Sequence, residues 1–360
     1  MKPSSTEITL LRDLVAIPSV SGDEEAVARF AEETARAARL DVVRDASGVK
    51  VHVRGKRGGP TLALVTHLDV VPPGDGWTRD PFTPLIEDGR MYGRGSGDAK
   101  ASVAAMLSAA RDVAERGGPP SGRLLVILGH GEETRHTSMP EAVAGVGEIT
   151  AAVVGEPTNL DIAVAQRGLM MVDLVAHGEQ RHAGYAEPNG SGDRFVNAAQ
   201  VLARDLVALR DIARDRRHPV LGFPTITPTM LEAGVGRNVT PPTARAVLDV
   251  RSTPAWSHTD LADALREALE SEVLVTSDRL VPCETPIGST LLAAARRVRP
   301  EAKSFGSPTC SDWVFLRDRD AIKCGPGTSR NSHTPDEWVL IDEVSAARDF
   351  YTRLAMEYLA

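Results

Sequence analysis

The sequence contains few cysteines, few aromatic residues and no long hydrophobic run. Its three cysteines among 360 residues, Cys283, Cys310 and Cys324, form no CxxC pair. This argues against a disulfide framework or a thiolate zinc site and favours a reducing compartment. No stretch of about 18 apolar residues is present, so we expect no membrane-spanning helix. The start of the chain lacks the apolar core of a signal peptide, and we expect a cytoplasmic protein.

An excess of positive charge is also missing. The net charge is −8 at pH 7, and no run of Lys or Arg occurs. Because nucleic-acid binding requires a basic face, we expect no nucleic-acid partner. Aromatic residues make up only 4% of the chain, which argues against an aromatic ligand cage. The 42% hydrophobic and 25% charged residues are typical of a globular protein, and the length suffices for about two domains.

The first and last parts of the chain alternate helix and strand patterns, which is typical of an α/β fold. The predicted strands here are 61–65, 124–128, 151–154 and 321–324. The predicted helices are 24–39, 100–116, 289–299 and a final helix from residue 341 onward.

The middle of the chain has a different pattern, with the order β-α-β-β-α-β. The predicted strands are 169–176, 225–230, 244–251 and 273–276, and the predicted helices are 194–207 and 259–271. This order is typical of a ferredoxin-like α+β domain. We therefore expect a catalytic domain in two parts, residues 1–167 and 280–360, with the smaller domain inserted at residues 168–279.

Histidine and carboxylate residues follow three predicted strands of the α/β part. These residues are His67, Asp69, Glu132, Glu133 and Glu156. In open α/β sheets, the loops at the carboxyl ends of the strands converge on one crevice where ligands bind. Each pair alone is also typical of a surface loop or a solvated helix start. Their joint position at strand ends favours a single site.

Two further residues extend this set. Asp98 lies in the glycine-rich segment GRGSGDAK just before a predicted helix, and His333 lies nine residues after the late strand. Histidine and carboxylate ligands without thiolates suit zinc, or a similar divalent ion, in an open catalytic site. Two ions about 3.5–4 Å apart need a bridging carboxylate. This set of histidines and carboxylates therefore predicts a two-metal site.

Five segments in this order resemble those of the M20 metallopeptidases: THLDVVPPGDGW, GRGSGDAK, GEE, VVGEPT and GPGTSRNSHTPDEWV. That family includes acetylornithine deacetylase, succinyl-diaminopimelate desuccinylase, aminoacylase and glutamate carboxypeptidase. The resemblance covers nearly the whole chain. It implies a zinc-peptidase-like catalytic domain with an inserted ferredoxin-like domain that serves as a lid and forms a homodimer.

The resemblance also implies which residues bind the metal ions. His67 and Glu156 would hold one zinc ion, Glu133 and His333 the other, and Asp98 would bridge the two. Cobalt and manganese would also suit these ligands.

The implied catalytic residues lie beside these ligands. Glu132 would be the general base for a metal-activated water. Asp69 would accept the second imidazole N–H of His67 and fix its tautomer.

The inserted domain carries further residues that match the family. His182, in GEQRHAGYAEP, would be a catalytic residue that reaches the site of the partner subunit and donates to the oxyanion there. Arg181 precedes it where the family usually has glycine. Asn238 and Arg251 match positions that contact substrate, and Arg167 is a weaker candidate. An arginine can bind a carboxylate with two hydrogen bonds, which suits an amino-acid substrate. Each of these residues is also typical of a turn or a strand end.

The substrate is less clearly indicated than the chemistry. The segment GWTRDPFTPLIEDGRMYGRG resembles acetylornithine deacetylases, so N-acetylornithine, in arginine biosynthesis, is the leading expectation. Alternatives are a succinyl-diaminopimelate desuccinylase, a carrier-protein-lysine hydrolase, and a dipeptidase or carboxypeptidase of the same family. The segment QRGLMM differs from the usual desuccinylase pattern, and DAKASV departs from Asp-x-Lys-Gly-Gly. A non-catalytic binding protein is a remote alternative. The remaining histidines, including His130 and His136, have no motif context, and we interpret them as structural or surface residues.

Overall fold

The computed structural model describes residues 6–185 and 196–360. The chain forms two compact units, and unit 2 interrupts unit 1. The first segment of unit 1 ends at Val164, and the unit resumes at Glu284–Phe305 and Ser311–Ala360. Unit 2 consists of Ala165–Cys283 and Gly306–Cys310. No helix in either described range is both long and apolar enough to cross a membrane.

The helices are α1 (Thr6–Val15), α2 (Glu25–Ala37), α3 (Lys100–Glu115), α4 (Ser138–Gly145), α5 (Ala198–Ala208), α6 (His258–Ala268), α7 (Thr290–Val298) and α8 (Ile341–Tyr358). The strands are β1 (Asp41–Asp45), β2 (Gly48–Arg54), β3 (Thr61–His67), β4 (Leu85–Glu87), β5 (Arg90–Tyr92), β6 (Arg123–Gly129), β7 (Ala151–Val154), β8 (Ile162–Gln166), β9 (Leu169–His177), β10 (Thr225–Ala233), β11 (Thr243–Arg251), β12 (Glu272–Leu280), β13 (Cys283–Glu284), β14 (Ser304–Ser307), β15 (Asp320–Lys323) and β16 (Trp338–Leu340).

The large mixed sheet has the order β1-β2-β6-β3-β7-β15-β8-β13, with β14 paired to β8. Strands β6, β3, β7 and β15 run parallel to one another. Their apolar runs are buried along almost their whole length, as expected for parallel strands covered on both faces. Because these neighbours are parallel, the loops after β3, β6 and β7 leave the same edge of the sheet.

Helix α3 lies at the centre of the helical layer and packs against α1 and α8. The segment Lys100–Ala110 is completely or almost completely buried, and most of its residues are alanine or serine. Small side chains let the neighbouring helices approach closely, so leucines such as Leu11, Leu14 and Leu354 fill the layer. Burying each such leucine contributes about 1.5–3 kcal/mol to stability. This packing fixes the start of α3, two residues after Asp98.

Unit 2 contains an antiparallel sheet with the order β10-β11-β9-β12 and the helices α5 and α6. The predicted β-α-β-β-α-β order is confirmed. The core lies between the sheet and the helices, where Val201 and Leu265 pack with Leu174 and Leu248. The predicted start of the first helix, residues 194 and 195, lies outside the described residues. The described helix begins after Asn197, whose side chain accepts hydrogen bonds from the first turn.

Candidate metal centre

His67 is the last residue of β3, and its ring is 1% exposed. Its Nε2 atom lies 3.3 Å from Asp98 Oδ1 and 3.8 Å from Glu156 Oε1. On the other side of the ring, Nδ1 lies 3.0 Å from the backbone oxygen of Asp69 and 3.4 Å from Asp69 Oδ1. The ring is therefore held through Nδ1, while Nε2 faces two carboxylates.

Asp98 lies between the two predicted histidine ligands. Its Oδ1 faces His67 Nε2, and its Oδ2 lies 3.7 Å from His333 Nε2. His333 Nε2 also lies 3.0 Å from Glu133 Oε1. The structure thus brings together all five residues that the sequence suggests as ligands, with one oxygen of Asp98 toward each histidine.

The arrangement fits two divalent cations. His67 Nε2 and Glu156 Oε1 are buried atoms without a hydrogen-bond partner. Burying such atoms unpaired is costly, and buried carboxylates that face one another need a compensating positive charge. Burial and the nearby charge of Asp98 raise the pKa of Glu156 to about 8. Burial lowers the pKa of His67, but the nearby carboxylates of Asp69 and Asp98 outweigh this effect and raise the pKa well above its usual value.

Asp69 fixes the turn that carries the two adjacent glutamates. Its side chain is completely buried and accepts hydrogen bonds from Ser21 Oγ at 2.7 Å and from the backbone N–H groups of Glu132 and Glu133, both at 3.1 Å. Burial opposes ionisation, but the hydrogen bond with His67 outweighs it and lowers the pKa of Asp69. Asp69 therefore contacts Glu132 and Glu133 through their backbone, in addition to holding the ring of His67.

A buried ion pair positions the loop of Asp98. The side chains of Arg94 and Glu337 are each 1% exposed, and Arg94 Nη1 donates to Glu337 Oε2 at 2.6 Å. The same carboxylate accepts the backbone N–H groups of Gly95, Gly97 and Asp98 at 3.2, 2.9 and 3.0 Å. Glu337 thus ties the segment after His333 to the segment that ends at Asp98. Sequence analysis missed this contact, although both residues lie inside recognised motifs.

Glu132 has two further buried neighbours, His136 and Asp312. His136 Nδ1 lies 3.0 Å from Asp312 Oδ1 and 3.7 Å from Glu132 Oε1. The three side chains are between 4% and 10% exposed. Burial and the charge of Glu156 raise the pKa of Glu132 well above its usual value. The sequence predicts His136 to be a structural or surface residue, and it does not single out Asp312.

Comparison with known proteins decides the family. Residues 63–357 match the family model described as Peptidase family M20/M25/M40. The chain belongs to this family. A succinyl-diaminopimelate desuccinylase of Cereibacter sphaeroides is 30% identical, over 98% of this chain and 99% of the relative. One from Stenotrophomonas maltophilia is also 30% identical, over 99% and 100%.

Solved M20 structures share the fold of this family member. Aminopeptidase PepT of Bacillus cereus has a TM-score of 0.83 at 18% identity, covering 99% of both chains. A Bacillus subtilis protein described as a dinuclear metal-binding peptidase of family M20 has a TM-score of 0.73 at 15% identity, covering 98% of this chain and 97% of its own. The protein is therefore an M20 metallohydrolase with the expected α/β catalytic fold and inserted α+β domain.

The remaining residues that the sequence suggests for the site lie in unit 2, where they form two neighbouring pairs. His182 and Asn238 are exposed, and the N–H of Ala183 donates to the backbone oxygen of Asn238 at 2.8 Å. Arg167 donates to the backbone oxygen of Arg251 at 3.3 Å. Arg251 itself binds Asp249 through two hydrogen bonds of 2.7 and 3.0 Å. The guanidinium of Arg251 is therefore already paired with a carboxylate of its own strand.

Proposed function

We propose that this M20 hydrolase removes an N-acyl group from an amino acid with the help of two divalent metal ions, preferably zinc. The observation that carries this proposal is the position of Asp98 between His67 and His333, with Glu132 buried beside them. A carboxylate that offers one oxygen to each of two histidines is suited to bridge two ions.

The proposed ligands divide into two sets around Asp98. His67 and Glu156 would hold one ion, and Glu133 and His333 the other. When bound, the ions would act as Lewis acids toward a water molecule and the amide carbonyl.

Within this arrangement Glu132 would act as the general base. It would take a proton from the attacking water and later deliver it to the leaving nitrogen. Its raised pKa suits both steps, because a carboxylate must hold the proton between them. Asp69 would keep Glu132 and Glu133 in place by binding both backbone N–H groups.

For the substrate, we infer an N-succinyl amino acid with a second amino or carboxyl group. The curated relatives described above are desuccinylases, which favours this class over the N-acetylornithine expected from sequence. Arg251 and Arg167 would bind substrate carboxylates, because a guanidinium pairs well with them. Arg251 would then exchange its contact with Asp249 for one with the substrate. Asn238 would contact the substrate, and His182 would reach the site of the partner subunit and donate to the oxyanion there.

We also propose a homodimer formed through strand β10. Within the described residues β10 pairs only with β11, so its other edge presents free backbone groups. Met230 and Leu231 on this strand are 67% and 63% exposed. Pairing with β10 of a second copy would provide hydrogen-bond partners for these backbone groups and cover the side chains of Met230 and Leu231. The proposed location is the cytoplasm, supported by cysteines that carry no disulfide.

The test is hydrolysis by the zinc-loaded protein of N-succinyl-diaminopimelate, N-acetylornithine, other N-acyl amino acids and simple dipeptides. We expect the highest kcat/KM on the succinyl substrate and loss of activity after chelation. Glu132→Gln removes the base, and Glu141→Gln is the matched control because Glu141 is exposed on α4. A higher kcat/KM on N-acetylornithine would change the substrate, and protein that binds no metal would refute the proposal.

A further inference from the structure

Glu132 is held by its backbone, but it also has a side-chain neighbour that the mechanism above does not use. His136 Nδ1 lies 3.7 Å from Glu132 Oε1 and 3.0 Å from Asp312 Oδ1. The shorter distance is that of a hydrogen bond, so the Nδ1–H group donates to Asp312. The same edge of the ring faces the carboxylate of Glu132.

The backbone around His136 is built to bring its ring to this place. The N–H groups of Arg135 and His136 both donate to the backbone oxygen of Gly131, at 3.1 and 2.7 Å. His136 has a φ of +51°, a conformation that is uncommon for residues other than glycine. Such backbone conformations persist where the surrounding contacts enforce them, and they concentrate at functional sites.

Asp312 is fixed on the opposite side of the ring. It begins a short 3-10 helix, Asp312–Leu316, and its side chain is 4% exposed. The preceding Ser311 caps this helix by accepting the N–H of Trp313. The backbone of Asp312 is therefore held in place, and its side chain can fix the imidazole of His136. The imidazole in turn lies beside the carboxylate of Glu132, which must stay apart from the proposed metal ligand Glu133.

We propose that His136 and Asp312 are a positioning pair for Glu132, which they hold toward the reacting water and away from the ions. Asp312 orients the ring, and the Nδ1 edge of His136 limits where the Glu132 carboxylate can go. The inference rests on the proposed role of Glu132 as the base. Side chains that orient a functional group in this way commonly change activity about 10- to 100-fold when removed.

The first test measures the contact without using a substrate. In zinc-loaded protein with ¹⁵N-labelled histidine, we expect an imidazole N–H signal protected from exchange that is lost in His136→Asn. Asp312→Asn and Glu132→Gln should each shift this signal, whereas Glu141→Gln should not. If the chemical shift of this signal is the same in Glu132→Gln as in the parent, the proposal is wrong. This result is independent of which substrate the enzyme uses, so it separates failure of the inference from failure of the proposed function.

The second test measures kinetics on whichever panel substrate is hydrolysed. His136→Gly removes the side chain and His136→Asn keeps a donor near the position of Nδ1; both residues tolerate a positive φ. We expect His136→Gly to lower kcat about 10- to 100-fold with KM and metal content unchanged. His136→Asn should recover most of this loss, and His52→Asn is the control for histidine replacement elsewhere in unit 1.

Three outcomes would overturn the positioning role. One is a kcat of His136→Gly within about twofold of the parent, well below the loss expected for a residue that orients the base. Another is an equal loss in His136→Asn and His136→Gly, because a purely structural role would not depend on the donor. The third is a third metal ion per subunit that His136→Gly removes, because Glu132, His136 and Asp312 would then form a metal site.

Discussion

Replacing Glu337 with glutamine tests whether the buried hydrogen bonds of Glu337 stabilise the protein and position the Asp98 loop. The carboxylate accepts one hydrogen bond from Arg94 and three from backbone N–H groups, all out of contact with solvent. An amide keeps the size of the side chain, but it offers one acceptor oxygen and turns an NH₂ group toward donors. Arg94 would be left as a buried charge without its partner.

The expected loss of stability follows from this geometry. Removing one member of a buried ion pair costs about 3–5 kcal/mol, because the remaining charge is uncompensated. Displacement of the loop would also move Asp98, so we expect metal affinity to fall about 10- to 100-fold. The exposed pair Arg297–Glu357 provides the matched control, since Glu357→Gln removes a 2.7 Å surface contact worth about 0–1 kcal/mol.

The assay is urea unfolding of the metal-free protein followed by tryptophan fluorescence, together with calorimetric zinc titration. Trp256 lies in unit 2, whereas the other three tryptophans lie in unit 1. A Trp256→Phe background therefore reports on unit 1 alone, in both the parent and the Glu337→Gln protein. The reasoning would be refuted if Glu337→Gln lowered the free energy of unfolding by less than about 1 kcal/mol and left zinc affinity unchanged, because a surface ion pair contributes as much.

Three further predictions concern the metal ions, the base and the dimer. Glu132→Gln should abolish turnover while elemental analysis still finds two metal ions per subunit; loss of an ion would show that Glu132 is a ligand and Glu133 the base. Zinc affinity should rise as the pH increases from about 6 to 8, because the pKa of Glu156 is raised to about 8 and that of His67 well above its usual value, so both ligands must lose a proton before they bind. Calorimetry in buffers of different ionisation enthalpy measures the protons released, and an affinity independent of pH would contradict this. Met230→Glu should shift the protein from dimer to monomer in analytical ultracentrifugation, whereas the exposed control Val207→Glu on α5 should leave the dimer intact.

The residues that the sequence could predict are those whose position follows from a local rule. His67 and Glu156 stand at the ends of parallel strands or just beyond them, and parallel strands deliver their ends to one edge. The same reasoning predicts the β-α-β-β-α-β order of the inserted domain, because strand and helix periodicities are local properties.

The supporting contacts could not be predicted in this way. Arg94 and Glu337 are 243 positions apart in the chain, and His136 and Asp312 are 176 apart. No periodicity links such residues, and each alone is typical of a surface charge or a structural histidine. A usable signal existed for Arg94, four residues before Asp98, and for Glu337, four residues after His333, because each lies in the same motif as a proposed ligand. The substrate is similarly hard to predict, because the metal ligands are shared by enzymes that act on different amides.

The place of β15 in the large sheet has a consequence for the order of events during synthesis. This strand lies between β7 and β8 in the sheet, but the ribosome makes it only after all of Ala165–Cys283 has emerged. Until then β7 and β8 have no partner between them, and His333 has not yet been made. The inserted unit can thus complete its own sheet while unit 1 still exposes unpaired strand edges, which are prone to aggregation. The catalytic part of the chain begins first and finishes last, so a nascent chain stalled before residue 320 would present an open sheet to chaperones and proteases.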